Sequence, residues 1–222
     1  AETGEIIPGL AGKYLFASKV TGAANGAQTQ TVIGSLSELI QEDGTLTLTS
    51  ASTFDYAWMS LGLYAQDQQE MAKNSSAALV TLAREDGGFG FDNSEFTTTS
   101  STDATAMAIM ALQLTKDLDP ELSASKQSSI DAALAYLDEG LVDGSHFVAF
   151  DAVDINGTAL ALMAYLATSG QLNENVHEYL VAQIQEDGGI GSPWVENAGD
   201  RFATAQGYLA LEGKSYLTLL GK

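Results

Sequence analysis

The sequence predicts an all-α chain folded as an α/α toroid, a double ring of helical hairpins. Two observations carry this: a short acidic phrase ending in glycine recurs along the chain, and the helices on its two sides differ in kind. The phrase reads Ile40-Gln41-Glu42-Asp43-Gly44, then Ala83-Arg84-Glu85-Asp86-Gly87-Gly88-Phe89-Gly90, then Ile184-Gln185-Glu186-Asp187-Gly188-Gly189-Ile190-Gly191, with a degenerate copy, Leu141-Val142-Asp143-Gly144, before the last. A spacing of roughly 45 to 55 residues is too long for one helix and a turn and suits two helices per unit. Before each copy the apolar residues keep to one stripe. After each copy and a polar loop comes a segment apolar nearly all round, which must be covered on all sides. One-sided rods outside and fully apolar rods inside make the double ring.

In chain order, Pro8 to Val20 reads as an opening helix, with residues 1–28 taken as that helix and a linker. The first outer helix carries Val32, Ile33, Leu36, Leu39 and Ile40, and Phe54 to Tyr64 is the inner helix after it. Met71, Ala78, Leu79 and Leu82 mark the second outer helix, answered by Ala104 to Leu112 inside. Ile130, Ala133, Leu134 and Leu137 mark the third, answered by Thr158 to Ala167. Val176, Leu180 and Ile184 mark the fourth, answered by Phe202 to Leu211, with Ser215 to Leu220 as a short closing helix. That is one toroid domain over residues 1–222, with about four to five inner and outer pairs and an incomplete ring as the expectation. Glycine supplies the positive φ at which each outer helix stops. Thr53 or Asp55, Ser101 or Asp103, Asp154 and Asp200 are placed to cap the inner helices.

Composition removes several classes of function. The 29 acidic residues against 9 basic ones give a net charge of -20, so nucleic acid and anionic membrane are poor partners. The absence of cysteine excludes disulfides, thiol nucleophiles and thiolate zinc sites, and His146 and His177 alone leave little for metal chemistry. The longest apolar run, Ala159 to Ala167, falls far short of the roughly 18 to 20 residues that span a bilayer, which predicts no membrane insertion. Scarce lysine, no cysteine and abundant small polar residues fit an exported or surface-displayed bacterial protein.

On the copies Gln185 to Gly191 and Arg84 to Phe91, the chain resembles the terpenoid cyclase and protein prenyltransferase superfamily. The closing segment Phe202 to Tyr216 is similar to the last inner helix of bacterial surface proteins with squalene-cyclase-like repeats, relatives of the transcobalamin and intrinsic-factor barrel. The resemblance covers most of residues 29–222 and implies the toroid. It does not carry the family's metal chemistry over, because prenyltransferases and lanthipeptide cyclases need cysteine ligands and complement-like thioester domains need a Cys-Gln bond. The Asp-x-Asp-Asp acid of the cyclases is matched only loosely by Asp151-Ala152-Val153-Asp154, and the inner helices carry Ala, Leu and Met where a cyclase carries aromatics.

A site is expected on the rim where outer helices pass to inner ones, since those connections are long and the returns short. Phe91, Phe96, His146, Phe147, Phe150 and Trp194 are the ligand-contact candidates, with Asp92, Glu95, Asp151, Glu196 and Asp200 around them. The leading expectation is a non-catalytic binding domain that takes a small molecule, a glycan or a protein on this rim, with no cofactor and no metal, a cobamide or calcium being the exceptions considered. The alternative is an enzyme on the same scaffold: an isoprenoid cyclase using Asp151 or Asp154, or a polysaccharide hydrolase or lyase using rim carboxylates.

Overall fold

The computed structural model describes residues 6–23, 25–48, 51–91, 99–196 and 198–222. The chain is an all-α toroid in which inner and outer helices alternate. Inner helices are α1 (Pro8–Thr21), α3 (Thr53–Ala65), α5 (Thr102–Thr115), α7 (Ile155–Ser169) and α9 (Arg201–Leu211). Outer helices are α2 (Gly26–Leu39), α4 (Gln69–Val80), α6 (Ser123–Gly140) and α8 (Glu174–Val181). The inner helices pack in the order α1, α3, α5, α7, α9, and each outer helix rests against a neighbouring inner rod, α4 and α8 against both of theirs. The opening helix thus belongs to the inner row, and the linker behind it is short, since α2 already begins at Gly26.

The burial follows the alternation. Nearly every residue of Ala104–Leu112 and Ala159–Ala164 is sealed from solvent, whereas α8 buries only Val176 and Leu180. Small residues let the inner rods approach closely: a β-carbon on Gly62 of α3 would fall on the backbone of Gly12 in α1. The last inner helix departs from expectation. Phe202 and Tyr208 of α9 are 75% and 56% exposed, because α9 ends the row and only one of its flanks meets a neighbouring inner helix. The chain then turns back across the start of the row, where Tyr216 packs edge-on against Phe16 and tilted against Trp58, with ring centres 5.6 and 5.0 Å away. The closing helix there is a single 3-10 turn, Thr218–Leu220. Among the described residues no helix is long and apolar enough to cross a membrane.

The recurring phrase is a device for placing the next inner helix. Each copy closes a tight loop through a β-bridge, pairing Ile40 with Leu46, Ala83 with Phe89, Val142 with His146 and Ile184 with Ile190. Gly87 and Gly188 turn the chain at φ +83° and +82°, values that L side chains rarely adopt. Directly after the turn an apolar plug (Leu46, Phe89, Phe147 or Ile190) enters the core. Its buried amide donates to a hydroxyl on the fourth residue of the following inner helix: Phe89 N to Thr105 Oγ1 at 2.9 Å, Phe147 N to Thr158 Oγ1 at 3.1 Å, Ile190 N to Thr204 Oγ1 at 2.9 Å, and Leu46 N to Tyr56 Oη at 3.1 Å. In the last three copies the plug carbonyl also accepts from the residue that caps that helix: Ser101, Asp154 or Asp200. The phrase aspartates stay local, Asp86 accepting from Gly88 N and Ser100 Oγ, and Asp187 from Gly189 N and Gly199 N.

Lys126 is the exception in this apolar interior. It is fully buried on α6 and donates to Ser76 Oγ of α4 at 2.9 Å and to the Thr115 carbonyl of α5 at 3.3 Å. Burial pushes its ammonium below the ordinary lysine range, with the Asp119 carboxylate opposing that shift.

Two outcomes follow from this packing. Thr105→Val strands the buried Phe89 amide and lowers unfolding free energy in urea by about 1–3 kcal/mol, while Thr105→Ser keeps most of it. For Lys126, the unfolded chain holds its proton over the interval between the lowered folded value and the ordinary lysine value of 10.5, so stability rises with pH there. Melting curves of the parent and of Lys126→Met, taken across that alkaline interval, show the parent gaining on the variant.

Candidate functional site

The connection from α6 to α7 is the most elaborate of the described loops. Phe147 enters the core as a plug, and the chain then forms a two-stranded hairpin of β1 (Val148–Ala149) and β2 (Ala152–Val153), with Val148 opposite Val153 and Ala149 opposite Ala152. Its two-residue turn is Phe150-Asp151, and both have positive φ, +53° and +60°. The strand pair ends at Asp154, which caps α7: its Oδ1 accepts from Gly157 N at 2.8 Å.

Beside this hairpin lies a cavity of about 420 Å³ on the rim between the second and third units. Its walls come from the start of α5 (Ser101, Thr102, Asp103), from Tyr136 of α6, from the hairpin with Asp154 and Asn156, and from Trp194 of the next loop. Phe150 and Trp194 stand at its edge, 94% and 70% exposed. Two polar atoms of wall residues, Ser101 Oγ and Asn156 Oδ1, have no hydrogen-bond partner among the described residues.

Two carboxylates, Asp103 and Asp154, line this cavity. Burial raises Asp154 above the ordinary carboxylate range, the hydrogen bond from Gly157 pulls it back, and the nearby charge of Asp103 pushes it up again. Asp103 differs from the aspartates that begin the other inner helices. Asp55 closes a capping box with Ser52, and Asp154 and Asp200 are N-caps, whereas Asp103 Oδ1 accepts from the amide of its neighbour Ala104, at 2.8 Å. A cap function accounts for the other three and leaves Asp103 without one among the described residues. A carboxyl whose proton affinity is raised by burial and a second carboxyl on the wall of one cleft edged with aromatic rings can donate and accept protons in turn.

The sequence candidates separate accordingly. Phe150, Trp194 and Asp154 come together at the cavity. Phe147 does not: it is 2% exposed, a core plug and not a ligand contact, because the degenerate phrase puts it where Phe89 and Ile190 stand in their loops. His146 stacks on Tyr179 with ring centres 4.4 Å apart, its Nδ1 3.0 Å from Ser145 Oγ, so its face is already covered. Phe91 is exposed and leans on Phe54, away from the cavity wall. Asp151 sits at the exposed tip of the hairpin. Phe96, Asp92 and Glu95 lie outside the described residues. Asp103 and Asn156 are the residues that sequence reasoning did not select. Asp103 lies two residues past the N-cap Ser101, inside the first turn of α5, where a sequence reads an acidic residue as a cap. Among the described residues no group of three or more histidine or acidic side chains is gathered closely enough to hold a metal ion.

No family model matches the chain, and no curated protein matches it. Among solved structures, the chain is similar to one described as a possible member of the GH105 family from Salmonella enterica subsp. enterica serovar Paratyphi A str. ATCC 9150. The TM-score is 0.65 at 13% identity, over 99% of this chain and 74% of that one. At this identity the likeness establishes the shared α/α toroid.

The raised Asp154 yields a stability test. A carboxyl that binds its proton more tightly when folded favours the fold most below the unfolded value of about 4 and loses that contribution as pH rises through the raised value. Asp154→Asn keeps the capping oxygen and has no proton to lose. Its melting temperature exceeds the parent's at pH 7, and the difference closes as the pH is brought down to the unfolded carboxylate range.

Proposed function

We propose that this chain is a glycan-processing enzyme that hydrolyses a glycosidic bond in the rim cavity, with Asp154 as the proton donor and Asp103 as the proton acceptor. The observation that carries this reading is that Asp154, its proton affinity raised by burial, and Asp103 line one aromatic-edged cavity; the toroid shared with a structure described as a possible GH105 family member supports it. Asp154 gives its proton to the glycosidic oxygen as the bond to the anomeric carbon breaks. Asp103 takes a proton from the attacking water, whose oxygen joins that carbon, and a second proton exchange with solvent restores both groups. Burial serves the acid by keeping it protonated at a pH where a free aspartate has lost its proton.

A second reading, a non-catalytic sugar-binding rim, is favoured by the exposure of Phe150 and Trp194, which offer flat apolar faces whether or not chemistry follows. One experiment separates the two. Neutral oligosaccharides are incubated with the parent, Asp154→Asn and Asp103→Asn, and released reducing ends are counted. Hydrolysis by the parent that falls about 10²- to 10⁴-fold in kcat in each variant, with binding retained in Asp154→Asn, supports the enzyme. Binding by all three without release of reducing ends identifies the binding rim instead.

A further inference from the structure

The hairpin turn at the cavity edge is built from residues that suit neither the turn nor the surface. A two-residue turn with both central φ angles positive is ordinarily filled by Asn-Gly, Asp-Gly or Gly-Gly, because a β-carbon crowds the backbone in the left-handed region. Asp151 tolerates that region. Phe150 is a bulky residue at φ +53°, and its ring is 94% exposed, so burial does not repay the strain. The geometry does one other thing with the ring: it holds it at the cavity that Trp194 also lines. The residues lining that cavity include Asp103 and Asp154 and, among the described residues, no lysine, arginine or histidine.

We infer that Phe150 is a ligand-positioning residue that, with Trp194, stacks on the faces of a neutral pyranose and presents it to the cavity carboxylates. This rests on the carbohydrate reading above and adds the class of sugar and the part that holds it. The apolar face of a pyranose meets an aromatic ring, while its hydroxyls meet the Asp103 carboxylate on the cavity wall. A uronate would bring a negative charge to two carboxylates with no cation on the wall to balance it. The two-residue turn fixes the ring in register with the hairpin, so the aromatic arrives already oriented.

The test places Phe150→Gly and Phe150→Asn in the full chain on an Asp154→Asn background, where binding is read without turnover. The probes are neutral gluco-, galacto-, manno- and xylo-oligosaccharides and uronic-acid oligosaccharides of the same length, measured by calorimetry alongside melting curves. Both replacements suit the left-handed turn, so the expected variants melt at or above the Phe150 chain while affinity for the best neutral oligosaccharide falls about tenfold or more, and Phe150→Trp restores it. Undiminished binding, a lowered melting temperature, tighter binding of the uronic-acid probes, or no binding of any neutral probe each overturns the inference. The two readings fail separately: Phe150-dependent binding with no hydrolysis by the parent removes only the enzyme, and hydrolysis dependent on Asp103 and Asp154 with KM indifferent to Phe150 removes only the clamp.

Discussion

One buried hydrogen bond, repeated around the ring, registers everything else: the amide of the plug residue after each tight loop, donated to a hydroxyl on the fourth residue of the next inner helix. An amide sealed in an apolar core cannot be left without a partner, so the hydroxyl fixes how far the incoming helix slides along its axis. In three loops the plug carbonyl also receives the amide of the capping residue, which fixes where the helix begins. Asp154 is such a residue. Its position in the cavity is therefore a product of Phe147 packing into the core and of Thr158 meeting the Phe147 amide, two contacts that never touch a ligand.

This division explains what could be seen in the sequence. The toroid was legible because the phrase recurs at a regular interval and because Ala104 to Leu112 and Thr158 to Ala167 have no polar face to show to water. The structural neighbour at 13% identity makes the same point: the architecture follows from pattern and not from shared residues. The site was only half legible. Phe147 and Phe150 look alike in the sequence, three residues apart, yet one is a plug and the other a surface ring; a hairpin without glycine gives no warning that the chain turns between them. Asp103 was hidden for the opposite reason, since an aspartate at a helix start is explained by capping unless its hydrogen bonds are known. At α9, composition misled, because an apolar rod at the end of a row has neighbours on one flank alone.

The charge of the chain acquires a more specific meaning at the cavity. A net charge of -20 spread over an exposed surface is largely screened, and Asp187, fully exposed and held by two backbone amides, is pushed below the ordinary carboxylate range. Asp154 moves the other way because it is withdrawn from water beside Asp103. Local desolvation, and not the overall field, thus sets the direction in which each of these carboxylates moves.

The bond from plug amide to helix hydroxyl lies at the base of each connection, donated to a threonine in three and to Tyr56 in the first, while the stretches from Leu46 to Ser52, Phe89 to Ser101, Phe147 to Asp154 and Ile190 to Asp200 differ in length and content. Insertions or recoded tips in one connection leave the rods of the others undisturbed, so lineages sharing this frame can exchange one mouth for another, one span at a time, without renegotiating the interior.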